Sequence, residues 1–252
     1  MAFCLFAGLM LFALAVGRSV IAQDWRTASQ EPAGLAPDPA TTPEAVVQVY
    51  GARTWGWRGT FGVHTWVAVK PANAAAYTVY EVIGWRLRGD NSAVFIHARA
   101  ADARWYGNVP ELYSDKRGAE AEKLIPRIDA AARSYPYARE YTAWPGPNSN
   151  TFTAWITRAV PELQVDLPPT AIGKDYLGPT IVGSAPSGRG LQLSLGGLFA
   201  LTASGVEGLE VNLLGLTFGI NPFDPALKLP LLGRLGGTRD AVPESAGAAP
   251  RQ

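Results

Sequence analysis

The sequence predicts an α+β fold: an antiparallel sheet with helices packed on it, and an apolar β-hairpin near the C-terminal end. Three observations predict it. Short β-branched and aromatic runs cluster between residues 45 and 98, separated by Gly- and Pro-containing turns. Two stretches with apolar residues at helical spacing follow, at 119–135 and 150–160. Two leucine-rich segments, beginning at Leu191 and Leu209, then alternate apolar and polar side chains. With 27 Gly and 20 Pro in 252 residues, turns are frequent, which argues against a helical bundle.

Residues 2–17 carry no charge and suit a signal-peptide core or a short membrane anchor. Both readings of the leader, 1–23, stay open, because no Lys or Arg precedes the run while Arg18 and Arg26 follow it. Residues 24–43 read as an extended linker, 44–235 as one α+β domain, and 236–252, made of Gly, Ala, Pro and charge, as a disordered tail.

Within the domain, 45–50 is the first strand and 64–69 the second, alternating His64, Trp66 and Ala68 against Thr65, Val67 and Val69. After a turn at 71–76, the run 77–85 returns as a hairpin partner, and 93–98 extends the meander. The first helix puts Leu124, Ile128, Ala131 and Tyr135 on one face, with Pro126 either kinking it or opening a new helix. The second puts Phe152, Trp155, Ile156 and Ala159 on a face and ends at Pro161. Segments 191–198 and 209–216 share identical residues at the pairs Leu191/Leu209, Leu195/Leu213, Gly197/Gly215 and Leu198/Leu216. Residues 191–219 are therefore expected as two antiparallel strands joined by the loop 203–208, with Leu193 and Val211 on one side and Gln192 and Glu210 on the other. So apolar a unit needs a surface to cover: the core, a partner or a bilayer edge.

Charge and cysteine content narrow the chemistry. Lys+Arg number 22 against Asp+Glu 21, so no basic excess points to nucleic acid. Cys4, in the leader, is the only cysteine, which leaves the domain without a thiol nucleophile, a Cys-based zinc site or an internal disulfide. No metal or cofactor motif is present, and no nucleotide fingerprint.

The candidate site rests on a histidine strand and a helix start. Ser149 lies three and seven residues before Phe152 and Ile156, above the buried face of the second helix. A helix N-terminus offers free N–H donors and a positive partial charge, which favour a nucleophile and a developing oxyanion. Ser149 reads equally as a helix cap, as do Asn148 and Asn150. His64 reads as a general base or as a core histidine. Glu81, inside an apolar strand, reads as the carboxylate that orients His64 or as an edge residue facing water. His97, at a strand end, has the weaker claim. Binding candidates are Asn148, Trp66, Arg139, Tyr141, Lys174 and Asp175, the last two forming a second cluster or a solvated pair.

The segments AGLAPDPA at 33–40, HTW at 64–66, WPGPNSNTF at 144–152, AIGKD at 171–175 and NLLGLTFG at 212–219 resemble the bacterial membrane-associated family catalogued as domain of unknown function 3750. More distantly, the order strand-His, strand-Glu, then Asn-nucleophile-x-x-Phe on a helix resembles circularly permuted papain-like proteins of the NlpC kind. That likeness implies a papain-like fold with the histidine strand preceding the nucleophile helix, with His64 as base, Glu81 as orienting residue and Ser149 in the cysteine position. It implies amide or ester chemistry on cell-envelope material, by an extracytoplasmic, membrane-associated hydrolase or acyltransferase. The expected partners are a small-molecule, peptide or lipid substrate and a membrane. A hydroxyl is a weaker nucleophile than a thiol, so two other expectations stand: an inactive envelope binding module, and a structural protein docking on a membrane partner.

Overall fold

The computed structural model describes residues 26–237. The leader and the tail after Gly237 lie outside the described residues. Among the described residues, two antiparallel sheets and two α-helices make up the fold. The first sheet holds β1 (Val46–Arg53), β2 (Val63–Lys70), β3 (Thr78–Val82), β4 (Val94–Ala98) and β5 (Glu111–Arg117), in the order β4-β3-β2-β1-β5. The helices are α1 (Gly118–Arg133) and α2 (Ser149–Ala159). Pro126 sits inside α1, which continues past it as one helix. Among the described residues, no helix is long and apolar enough to cross a membrane.

Both faces of the first sheet are covered. Val47, Val49, Val67 and Val69 meet Leu124 and Ile128 of α1 and Phe152 and Ile156 of α2. On the opposite face, Tyr50, Trp66 and Ala68 pack with Ala101 and Trp105 of the β4–β5 connection. Both alternating sets of β1 and β2 are therefore buried, and β1 is central rather than an edge strand. The part of the expected linker that is described is docked on the body. The Asp102 carboxylate accepts the N–H groups of Leu35 and Ala36 at 2.5 and 3.1 Å, and Pro32 bridges to Ala103.

The C-terminal half is a seven-stranded meander: β6 (Val182–Gly183), β7 (Leu191–Leu195), β8 (Phe199–Ser204), β9 (Gly208–Leu213), β10 (Leu216–Asn221), β11 (Ala226–Leu229) and β12 (Gly233–Gly236). It extends the expected hairpin and corrects its pairing. The two similar segments are not partners, because β8 lies between β7 and β9. Each copy is itself a hairpin, β7–β8 and β9–β10, turning at Gly197 and Gly215, whose φ angles are 74° and 85°. Equivalent side chains tie both turns: Ser194 Oγ accepts the Gly197 N–H at 3.2 Å, and Asn212 Oδ1 accepts that of Gly215 at 2.8 Å.

Sidedness along these strands is as expected, with Gln192 and Glu210 inward and Leu193 and Val211 outward. The inward face is polar. Lys174 bonds Asp175 at 3.2 Å and Glu210 at 2.5 Å, and Lys228 bonds Glu210 at 2.7 Å and Asp166 at 2.5 Å. Gln192 and Asn212 donate to Asp175 at 2.6 and 2.7 Å. Arg234 reaches both Asp166 and Asp224. Burial works against the Lys174 ammonium, but Asp175 and Glu210 outweigh it and hold its pKa above the ordinary lysine range.

Candidate functional site

The site opens where β2 and β3 part. Their ladder holds only Val67–Tyr80, Ala68–Val79 and Val69–Thr78, and stops short of His64 and Glu81. Glu81 lies on an internal strand between β2 and β4, buried, so the edge-carboxylate reading is wrong. Its two oxygens are divided between two imidazoles: Oε2 bonds His64 Nε2 at 2.8 Å, and Oε1 bonds His97 Nε2 at 2.8 Å. Arg99 adds a third contact at 3.3 Å. Trp105 stacks on His64 with ring centroids 3.7 Å apart.

Burial alone would push the Glu81 carboxyl up. The hydrogen bonds from His64 and His97, with the charge of Arg99, outweigh it and hold the group well below the ordinary carboxylate range. Burial pushes His64 down, against its bond to Glu81, and Arg99 adds to the depression. The directions are compatible if His64 is neutral and donates its Nε2 proton to ionised Glu81. Nδ1, which has no protein partner among the described residues, is then left with a lone pair.

The start of α2 is tied to the start of β2. Asn150 donates its side-chain amide to the carbonyls of Val63 (3.0 Å) and Ile172 (2.8 Å) and stands 3.0 Å from the Thr65 hydroxyl. Residues on either side of His64 thus hold the first turn of the helix. Asn148 is the N-cap. Its Oδ1 accepts the N–H groups of Asn150 and Thr151 at 2.9 and 3.2 Å, and Thr151 Oγ1 closes a capping box by accepting the Asn148 N–H at 3.1 Å. Ser149 is the first helical residue and does not cap. Among the described residues, neither its hydroxyl nor its N–H has a hydrogen-bond partner.

His64 and Ser149 line one cavity of about 930 Å³, without a direct hydrogen bond between them. Its wall is aromatic, with Trp55, Trp57, Phe61, Trp85, Trp105 and Trp144. Its charged lining is Arg58 and Arg88. Asn148 and Tyr141 also line it, Tyr141 lying against Gly84, where an added Cβ would approach its ring to 2.4 Å.

Other candidates are placed elsewhere. Trp66 stands behind His64, buried, with its indole N–H on the Ala101 carbonyl at 2.7 Å. Arg139 is exposed and is not among the lining residues. Lys174 and Asp175 are neither solvated nor at this cavity; their charges clamp the meander to the body. Sequence reasoning gave His97 only the weaker claim and missed Arg99. The β3–β4 ladder pairs Val79 with His97 and Glu81 with Phe95, so period-two spacing from Phe95 would have put His97 on the Glu81 face. Among the described residues, no group of three His, Cys, Asp or Glu side chains has a metal-holding arrangement, and His64 and His97 both spend Nε2 on the carboxylate.

A carboxylate-held histidine and Ser149 thus line one aromatic cavity, carried by an antiparallel sheet with two helices. By residues 44–176, the chain belongs to the family described as protein of unknown function (DUF3750). That stretch covers the first sheet, both helices and the Lys174–Asp175 pair, and stops before the meander. No curated protein and no solved structure matches the chain.

Proposed function

We propose that this protein is an extracytoplasmic, membrane-associated hydrolase or acyltransferase acting on an amide or ester. One observation carries the reading: His64 and Ser149 line one cavity, and among the described residues the Ser149 hydroxyl, the Ser149 N–H and His64 Nδ1 are unpaired, while Glu81 holds His64 Nε2. Ser149 Oγ attacks the substrate carbonyl, and its proton passes to His64 Nδ1 through water held in the cavity, because His64 shares the sheet face of Trp66 while α2 packs on the face of Thr65 and Val67. The oxyanion takes the Ser149 N–H at the positive end of α2. Collapse expels the amine or alcohol, which leaves with the proton held by His64, and the acyl group stays on Ser149. Water or a second acceptor then releases it by the reverse proton path. The order strand-His, strand-Glu, helix-Ser resembles that expected of a papain-like protein, with serine in the cysteine position. The uncharged run 2–17 and the cysteine-free domain support the extracytoplasmic placement.

The aromatic wall also supports a second reading, a binding module that holds an apolar ligand without turning it over. A fluorophosphonate probe with mass spectrometry of the labelled peptide separates the two. Adduct on Ser149, lost in His64→Gln, supports the enzyme. Hydrolysis of an activated ester that persists unchanged in Ser149→Ala, with no adduct on Ser149, defeats it.

A further inference from the structure

The meander is inside out for a protein in water. The charged residues of β7–β12 are Glu210, Lys228 and Arg234, and all three turn inward to the ion network. The outward positions are apolar across adjacent strands. Leu193, Leu201, Val211, Phe218, Ile220 and Leu227 are each 41–54% exposed and form one continuous face. Isolated exposed apolar residues are ordinary, but a contiguous sheet face of them marks a surface that is covered in use.

This face runs into the cavity. Leu214 and Leu216, at the β9–β10 turn, line it, and the Trp144 indole N–H donates to the Leu214 carbonyl at 2.9 Å. Trp57, Trp85 and Trp144, each more than half exposed, stand around the same opening. Amphipathic aromatic rings collect where hydrocarbon meets water.

We propose that the outer face of the meander lies on one leaflet of a lipid bilayer, and that the cavity draws its substrate, an acyl-chain amphiphile with an anionic head, from that leaflet. Three features choose a leaflet as the occupant. The outward positions of β7–β12 offer no charged side chain for a protein partner to match. Among the described residues, the cavity lining holds Arg58 and Arg88 and no carboxylate, which complements an anionic headgroup. The chain preceding residue 26 carries the uncharged run 2–17, which as an anchor holds the domain at a membrane and as a cleaved signal delivers it to the far side of one. A second copy on the same face would cover Leu214 and Leu216 and obstruct its own cavity. The docking half stands by itself; the substrate half rests on the enzymatic reading above.

The test uses the full chain with Cys4→Ser, carrying a polarity-sensitive fluorophore at Leu201→Cys or, as control, at the exposed Lys123→Cys on α1. The vesicles are phosphatidylethanolamine with phosphatidylglycerol, some lipids bearing nitroxide on the acyl chain. The expected result is a blue shift and strong quenching at position 201 and little of either at position 123. Equal, weak quenching at both positions means that the leader alone anchors the chain, and overturns the docking. So does a probe at 201 that is already shielded without vesicles in a chain of doubled mass, which assigns the face to a second copy. For the substrate half, Leu201→Glu/Val211→Glu is expected to slow Ser149 labelling by a long-chain fluorophosphonate embedded in the vesicles several-fold, and to leave labelling by a short water-soluble one unchanged. Equal slowing of both probes, or of neither, overturns it. Absence of Ser149 labelling by either probe sinks the enzymatic reading, and with it the substrate half, while the quenching result decides the docking separately.

Discussion

Glu81 Oε2 holds His64 Nε2 at 2.8 Å, and in doing so directs the other imidazole nitrogen away from protein partners. The carboxylate fixes the tautomer as well as the ring, because an ionised acceptor requires the proton on Nε2. Glu81→Gln removes that requirement. It is expected to lower turnover of an activated ester by about 10²–10⁴-fold with KM little changed. Steady-state kinetics on the purified variant checks this, and full activity would show that Glu81 serves only the packing of Arg99 and His97.

The depressed pKa of His64 gives a pH profile with a definite sign. A base must be neutral to accept a proton, so activity is flat above the folded pKa and falls as pH drops through it. Because burial lowers that pKa, the acid limb lies below the free-histidine value of about 6.5. Stability carries the same sign. The unfolded chain protonates His64 more readily, so stability is full above about pH 6.5 and is lost as pH falls below it. Urea titrations across this range are expected to show a steeper acid loss for the natural chain than for His64→Gln. A limb above the free-histidine value would contradict the burial argument.

Capping and nucleophilicity are divided between neighbours. Asn148→Ala removes the acceptor of two N–H groups and is expected to cost about 1–2 kcal/mol. Ser149→Ala removes no hydrogen bond and is expected to change stability by less than about 0.5 kcal/mol while abolishing any acyl transfer. Chemical denaturation of both variants decides it; the opposite ranking would make Ser149 structural.

The clamp under the meander makes a stability prediction remote from the cavity. Lys174→Met leaves Glu210 with Lys228 alone and Asp175 without its cation. Breaking one partner of a buried ion pair is expected to cost about 3–5 kcal/mol. Calorimetry reads it, and an unchanged melting temperature would mean that the network is dispensable.

Much of the first sheet was legible in the sequence, because β1 to β4 are runs of β-branched and aromatic residues whose pattern is local. β5, with the sequence Glu-Leu-Tyr-Ser-Asp-Lys-Arg, has no such signal; it is a strand because β1 presents an open edge to it. Pairing of the Glu81 strand with the His64 strand followed from one short turn, and so did their shared face. His97 and Arg99 entered the site through β4, whose register depends on the longer connection after β3.

The sequence by itself determined the antiparallel α+β class, the helix opening at Ser149 and the two-sidedness of the C-terminal strands, all of which arise from spacing within a few residues. It offered Glu81 as a partner for His64, and the internal position of β3 chose that reading over an edge carboxylate. Only the tertiary structure decided which of Asn148, Ser149 and Asn150 caps α2, since that depends on Val63, Thr65 and Ile172 brought from other segments. It alone decided that the polar side of the meander faces in. Alternation separates two faces but does not say which one meets water, and here the buried charges of Lys174 and Asp175 draw the polar face toward themselves and leave the leucines outside.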